Sequence, residues 1–354
     1  MNLSKTIINW YLANKRELPW RETNDPYVIW ISEVILQQTR VEQGLPYFRK
    51  FIETYPTLKD LAKAGSRSVK KIWQGLGYYN RAENLLSTAK AIVKERKGVF
   101  PQTYNQMLTL KGIGPYTAAA VSSFAFNQPM AAVDGNVSRV IARLFAVKEA
   151  VNSTKGKKTV QEIADELLDK KDPGLFNQAM MELGAMICKP SGPLCGQCPV
   201  RLQCEAFKKK AVERFPVKIK KKKPADRYIY YFLFHQNKKI FITKRTGTAI
   251  WKGLYELPNI ESGEAIRSKH ITSSKEFKKQ FGKIYQPKQR LVYSTKHQLS
   301  HLTIHAFFFE ISSDKKIEIA GEKFICTGFN RITGYPVSRL FDKFLNYYNL
   351  QSNP

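Results

Sequence analysis

The chemistry of this chain is concentrated in two carboxyl groups and a turn built on paired glycines. Glu33 lies in Trp30-Ile31-Ser32-Glu33-Val34-Ile35-Leu36-Gln37-Gln38-Thr39-Arg40, surrounded by apolar residues. On a helix it sits beside the core face, where desolvation raises a carboxyl pKa toward the range of a general acid. Asp134 lies in Ala132-Val133-Asp134-Gly135-Asn136, just ahead of a segment carrying Arg139 and Arg143. Upstream runs Lys111-Gly112-Ile113-Gly114-Pro115. Glycines one residue apart permit positive φ and close backbone approach, and Pro115 suits a first helical turn. The spacing predicts a helix from Tyr116 to about Phe126, whose free N–H groups and positive dipole end form a docking point for a phosphate. An ordinary helix–helix turn has the same G-x-G-P spelling. The acid a short distance beyond it, in so basic a chain, favours the phosphate grip.

Four of the five cysteines fall between Cys188 and Cys204, as Cys188-x6-Cys195-x2-Cys198-x5-Cys204. Clustered thiols outside an oxidising compartment point to metal or cluster ligation before disulfides. Their types suit Zn²⁺ or an iron–sulfur cluster, and only one C-x-x-C knuckle is present. Cys326 stands alone in a β-rich stretch and reads as a buried hydrophobe.

Lys and Arg total 58 against 29 acids, a formal net charge of +29. An excess that large favours a polyanionic partner, since neutralising phosphates releases condensed counterions. A solvated basic surface is the bland alternative. No basic amphipathic helix with an exposed aromatic face stands out, which disfavours a membrane surface. No apolar run approaches the roughly 18–20 residues of a membrane span, and no signal peptide is apparent at the N-terminus. The expected location is cytoplasmic.

At 354 residues the chain is long enough for two cores. Apolar residues recur at helical spacing through the first two hundred positions, with helices expected around Pro46–Tyr55, Ser68–Gln74, Arg81–Glu95, Thr159–Leu168 and Leu175–Ile187. Residues 1–207 therefore read as one all-α domain. Residues 208–227, with lysines unbroken from Lys220 to Lys223, read as an extended, self-repelling linker. Beyond it, Tyr228–Phe234, Ile240–Lys244, Arg290–Ser294 and Leu302–Ile311 read as strands, making 228–354 an α+β domain.

These motifs resemble a known family. Ser32-Glu33-Val34-Ile35-Leu36-Gln37-Gln38-Thr39-Arg40-Val41 closely matches the catalytic helix of the MutY family of adenine glycosylases. The hairpin with Asp134 resembles the helix-hairpin-helix and Gly/Pro…Asp element of base-excision DNA glycosylases. The cysteine spacing is that of the [4Fe–4S] loop of the endonuclease III and MutY families. Trp251-Lys252-Gly253-Leu254-Tyr255-Glu256-Leu257-Pro258 resembles the W-x-G-x-W/Y-x-x-P signature of Nudix-like folds. The Glu-rich run that holds Mg²⁺ in Nudix hydrolases has no counterpart after it. The similarity is to the degenerate Nudix-like domain that recognises 8-oxoguanine in the MutY family.

The resemblance implies an all-α helix-hairpin-helix glycosylase domain with a [4Fe–4S] cluster loop (188–204), plus an α+β Nudix-like C-terminal domain. It implies a monomer acting on double-stranded DNA with A:8-oxoG or A:G mispairs, excising adenine by base flipping and N-glycosidic hydrolysis in base excision repair. Glu33 would protonate the base, and Asp134 would stabilise or attack the sugar cation. Tyr116 and Asn136 would support the sugar and the carboxylates, with Arg16, Trp20, Arg21 and Gln178 lining the adenine pocket. Gly112 and Gly114 would grip phosphate. Tyr78, in Gly75-Leu76-Gly77-Tyr78-Tyr79, matches the residue wedged into the stack beside the opposing base, with Gln38 and Thr39 nearby. The family's F-S-H recognition loop is matched by Leu299-Ser300-His301, with leucine replacing the phenylalanine.

In endonuclease III relatives a lysine at position 116 attacks the sugar. Tyr116 forms no imine, so the resemblance implies a monofunctional enzyme. Two rivals remain. An endonuclease III-like lyase on oxidised pyrimidines is opposed by Tyr116 and by the Nudix-like domain. A non-catalytic DNA-binding scaffold would be expected to lack Glu33 or Asp134.

Overall fold

The computed structural model describes residues 2–352 except 221–222, 237–238, 248–249, 267, 283–286 and 313–323. Lys221 and Lys222 of the lysine run lie outside the described residues. The chain divides into two compact units, Met1–Ala64 with Asn84–Lys221, and Gly65–Glu83 with Lys222–Pro354. A linear division at residues 208–227 would have left Gly65–Glu83 with the helices. Instead that segment clusters with the C-terminal residues, for reasons of contact that sequence order does not reveal.

The first unit is helical: α1 (Leu3–Asn14), α2 (Pro26–Leu36), α3 (Val41–Thr54) and α4 (Leu58–Lys63). The division passes through the chain carrying α5 (Ser66–Ile72) and the start of α6 (Asn80–Arg96). Then follow α7 (Tyr104–Leu108), α8 (Pro115–Phe126), α9 (Gly135–Leu144), α10 (Thr154–Leu167), α11 (Pro173–Met186) and the short α12 (Glu205–Lys208). The expected helices are all present. α3 begins five residues before Pro46, which the chain accommodates inside the helix, and the short α4 and α7 carry too few turns to show a period.

α2 carries the first carboxyl group. Asp25 caps it by accepting from the Tyr27 N–H, and Pro26 occupies its first position. Tyr27 and every residue from Ile29 to Ile35 are buried, so the helix is enclosed nearly all round. Gln38 then adopts φ 60°, ending the helix and turning Gln38–Thr39 aside. α8 packs against α2 and α11, where Ala118, Ala119 and Ala120 allow close approach. α9 has the stronger amphipathic pattern. Val137, Val140, Ile141 and Leu144 join Ile7, Tyr11, Val160, Phe176 and Leu183 in one core. At ~1.5–3 kcal/mol per fully buried large apolar side chain, this core fixes α1, α9, α10 and α11 together.

Residues 217–219, inside the expected linker, do not run free. Val151 N–H donates to Val217 O at 2.9 Å, and Asn152 exchanges two hydrogen bonds with the Ile219 backbone. These bonds hold residues 217–219 against the α9–α10 connection.

The second unit is built on β1 (Ala225–Gln236), whose Tyr228–Phe234 run is apolar without alternation. That is the pattern of a central strand covered on both faces. Ile229, Tyr231 and Leu233 enter one core, and Tyr230, Phe232 and Phe234 the other. β1 pairs antiparallel with β2 (Lys239–Lys244) and with β4 (Asn259–Ser262), and parallel with β6 (Leu302–Ser312). β2 also pairs with β3 (Tyr255–Glu256) and β7 (Phe324–Gly328), and β6 with β5 (Lys288–Gln298). α13 (Lys275–Phe281) and α14 (Arg339–Ser352) cover the two faces through Phe277 and Phe281, and through Leu340, Phe341 and Phe344. Cys326 corrects the sequence reading. It is exposed on β7, because only Thr327 of that strand is buried.

Candidate active site

A cavity of about 580 Å³ opens in the first unit. Its lining includes Arg16, Trp20, Arg21, Glu33, Gln38, Thr39, Gly114, Tyr116, Asp134, Asn136 and Gln178, which the sequence reading had named separately. They come from the α1–α2 connection, α2 and its C-terminal turn, the starts of α8 and α9, and α11.

Glu33 is 7% exposed, and the Tyr116 hydroxyl donates to its Oε2 at 2.5 Å. Burial pushes the Glu33 carboxyl up to about 7. The Tyr116 hydrogen bond pulls it back, the charge of Asp134 adds to the rise, and Arg21 opposes it. Burial and the neighbouring Glu33 raise the Tyr116 hydroxyl well above its ordinary value, so it stays a donor.

Asp134 is the N-cap of α9. Its Oδ1 accepts from the Asn136 and Val137 N–H groups at 2.8 and 2.7 Å, and its Oδ2 from Asn136 Nδ2 at 2.7 Å. Burial raises its carboxyl, while these bonds and Arg139 favour the ionised form, as does the helix N-terminus. Asn136 is held in turn. Arg139 donates from Nη2 to Asn136 Oδ1 at 3.0 Å and from Nε to Cys188 O at 2.7 Å. Gly184 permits this approach of α9 to α11, since a Cβ there would stand 2.6 Å from the Cβ of Asn136.

The far wall is polar. Sequence reasoning missed its central residue, Glu182, which is 1% exposed. Arg16 donates to it from its backbone N–H, Nε and Nη2, and Arg21 from both Nη atoms, at 2.7–3.1 Å. Burial pushes the Glu182 carboxyl up, but the Arg16 and Arg21 bonds outweigh it and hold it at about 2. The signal was available: an acid in the apolar run of α11, four residues after Gln178 and so on its face. Gln178 Oε1 accepts from the Tyr11 hydroxyl at 2.6 Å, leaving its NH₂ end for a ligand. Trp20 packs edge-on against Phe48, with ring centres 5.0 Å apart. Gln37, Thr117 and Met181 also line the cavity, and Gln37 Nε2 donates to Thr117 Oγ1 at 3.2 Å.

Gly112 has φ +79°, and a Cβ there would lie 2.6 Å from the Asn84 Cβ. Gly114 caps α8 with open space around it and no side-chain cap bond, so the first turn faces outward without a side-chain partner. This is the geometry of an anion grip.

The four clustered cysteines line a small apolar cavity of their own, with Arg143, Ile187 and Phe207. Arg143 is 2% exposed and donates to Cys188 Sγ at 3.4 Å, to Lys189 O at 2.7 Å and to Phe215 O at 3.0 Å. Burial raises the Cys195, Cys198 and Cys204 thiols, Cys198 to about 11. Among the described residues no three His, Cys, Asp or Glu side chains are arranged to hold a single metal ion.

Tyr78, Leu299, Ser300 and His301 belong to the second unit. Tyr78 has φ +47° and is 52% exposed. Ser300 and His301 are exposed in the β5–β6 turn, with Ser300 Oγ 3.3 Å from His301 Nδ1, while Leu299 is partly buried against the core. In the Nudix-like motif, Glu256 is committed to structure: it pairs with Arg245 at 2.6 Å and accepts from Tyr231 and Asn259.

Comparison with known proteins agrees with this architecture. Residues 31–170 match the HhH-GPD superfamily of base excision DNA repair proteins, and residues 229–347 match the NUDIX domain. A solved thermostable thymine-DNA glycosylase superposes with a TM-score of 0.54 at 33% identity, over 58% of this chain and 95% of that one. Fold and site together define a DNA glycosylase of the helix-hairpin-helix class. An adenine DNA glycosylase of Buchnera aphidicola subsp. Schizaphis graminum is 33% identical over 89% of this chain and 91% of its own length. The human adenine DNA glycosylase is 42% identical over 57% of this chain and 38% of its own. The chain belongs to the adenine DNA glycosylase family.

Proposed function

We propose that this enzyme excises adenine mispaired with 8-oxoguanine, and with guanine, from double-stranded DNA in base excision repair, as a cytoplasmic monomer. The observation that carries it is the shared cavity of Glu33 and Asp134, with Tyr116 bonded to Glu33 where a lyase needs a lysine.

The flipped adenine enters the cavity between Trp20 and the Arg16–Glu182–Arg21 wall, and the Gln178 NH₂ donates to a ring nitrogen. Glu33, protonated near neutral pH, gives its proton to the base, and the glycosidic bond breaks as electrons leave with the neutral adenine. Asp134, whose carboxylate form its three hydrogen bonds favour, stabilises the cationic sugar carbon or adds to it, and water completes the abasic product. Gly112 and Gly114 grip a phosphate, and the Gln38–Thr39 turn borders the duplex. Tyr78 fills the stack beside the opposite base, and Ser300 and His301 read that base's edge. The helical unit then acts in excision, while residues 228–354, together with the Gly65–Glu83 segment that clusters with them, act in reading the opposite base.

The cysteines fit a [4Fe–4S] cluster. Four thiols ring an apolar cavity, and the Arg143 guanidinium offsets the negative charge such a thiolate cluster carries. Cys188, Cys195, Cys198 and Cys204 would hold it. With no open coordination position it would supply structural cross-linking of the loop rather than a reacting centre.

The decisive experiment is single-turnover cleavage of a duplex bearing adenine opposite 8-oxoguanine, with adenine opposite thymine as control. Scission at the mispair only after alkali, without a borohydride-trapped adduct, is expected. Scission without alkali together with an adduct would overturn the monofunctional reading.

A further inference from the structure

Tyr78 stands on a short loop that hydrogen bonds tie to other residues of the second unit. Gly75 and Gly77 take φ +102° and +76°, and the Trp73 Nε1 and Arg81 Nη2 groups both donate to Gly77 O, so the backbone under Tyr78 is held tightly. The next residue, Tyr79, is 5% exposed. Its hydroxyl accepts from Gly75 N–H at 3.2 Å and donates to Val337 O at 3.1 Å. One oxygen thus closes the loop and ties it to the segment leading into α14.

The same segment is gripped along α5. Arg67 donates twice to Gly334 O, at 2.9 and 3.1 Å, and its guanidinium lies 3.9 Å over the Tyr335 ring. Gln74 donates to Asp342 Oδ1 at 3.0 Å. Lys70 is 2% exposed, pairs with Glu83 and reaches Lys252 O at 3.4 Å. A Cβ at Gly253 would overlap the Lys70 ammonium, so glycine in Trp251-Lys252-Gly253 makes room for this anchor. On the other side, the Val337 side chain lies in the core against which Leu299 packs, next to Ser300.

We propose that Tyr79 and Gln74 are positioning residues for opposite-base discrimination: they fix Tyr78 on the body that carries the Ser300–His301 turn, so wedge and reading turn engage one base as a single rigid piece. This rests on the reading of Tyr78 as the inserted side chain. The physical argument is one of entropy. An exposed ring on an untethered loop would lose its freedom on entering the stack, whereas this loop has lost it on folding.

The test compares single-turnover excision of adenine opposite 8-oxoguanine and opposite guanine, using duplexes with 2-aminopurine beside the opposite base to report unstacking. The variants are Tyr79→Phe, Gln74→Ala, Tyr78→Ala and the double Tyr78→Ala/Tyr79→Phe, each checked by thermal melting. Tyr79→Phe keeps the buried ring and removes the hydroxyl, with its bonds to Gly75 N–H and Val337 O. It is expected to lower the 8-oxoguanine/guanine ratio about fivefold, the worth of one hydrogen bond, and to reduce the unstacking signal. In the Tyr78→Ala background it should have no further effect. If Tyr78→Ala lowers the ratio while Tyr79→Phe and Gln74→Ala leave it unchanged, the tether is refuted and the wedge reading stands. If Tyr78→Ala itself changes nothing, the wedge reading falls and takes the tether with it. An equal loss from Tyr79→Phe with and without Tyr78 would show a structural role unconnected to the wedge.

Discussion

The Tyr116 hydroxyl donates to Glu33 Oε2 at 2.5 Å, and this bond opposes the rise in proton affinity that burial imposes on the acid. It favours the carboxylate, against a burial that carries the group up to about 7. Excision that needs the protonated acid should fall as pH rises above about 7. Tyr116→Phe removes the donor that favours ionisation, so the alkaline limb should move to higher pH even as the rate drops. A pH–rate profile under single-turnover conditions reads this directly, and a limb displaced toward acid would refute it.

The same raised value has a consequence for stability. Glu33 takes up a proton more readily folded than unfolded, where its value is near 4.5. The folded state is therefore penalised progressively as pH rises from about 4.5 through 7. Glu33→Gln keeps the shape and abolishes the titration. The variant should gain stability over the parent by about 3 kcal/mol at pH 8 and gain little at pH 4.5. Denaturant melts at the two pH values are the check, and a pH-independent difference would contradict the buried-acid account.

The glycine turn can be divided into fold and function. Gly112→Ala meets both a positive φ and the Asn84 side chain, so it should destabilise the helical unit by about 1–3 kcal/mol. Gly114→Ala meets nothing within 4 Å at an ordinary φ, so its melting temperature should not change. If a phosphate docks on the first turn of α8, the added methyl should still weaken duplex binding several-fold. Unchanged binding by Gly114→Ala would place the phosphate elsewhere.

Glu182 offers a test of the far wall. Glu182→Gln leaves two guanidinium groups without their shared carboxylate and should cost about 3 kcal/mol, as breaking a buried pair does. Thermal denaturation measures the cost, and a change under 1 kcal/mol would show that water serves the arginines adequately.

How much of this was legible in the chain follows from locality. Glu33, Asp134 and the hairpin could be read because each depends on its immediate neighbours: an apolar setting on α2, an N-cap position, two glycines and a proline. The cysteine loop was legible for the same reason. Glu182 was not, since its meaning comes from Arg16 and Arg21, which lie more than 160 residues away. Short elements such as α4, α7 and β3 hold too few residues to display a period, and their conformation is supplied by packing. The exposure of Cys326 depends on which residues of β7 turn toward the sheet's cores, and hydrophobicity alone misassigned it. Nothing in Arg67, Lys70 or Gln74 as sequence announces that they serve residues 252–342.

That last arrangement bears on how such a chain can be cut or recombined. The two units are not consecutive lengths of polypeptide, because Gly65–Glu83 lies with the C-terminal residues while the chain on either side of it builds the helical unit. Removing everything after residue 224 would strip the seat from α5: Lys70 would keep Glu83 but lose Lys252 O, and Arg67 would lose both Gly334 O and the Tyr335 ring. Exchange of the C-terminal region between relatives would succeed only where the donor also accepts this inserted helix. The unit of inheritance is therefore an interleaved pair, and a shortened protein would lose the footing of Tyr78 along with the domain removed.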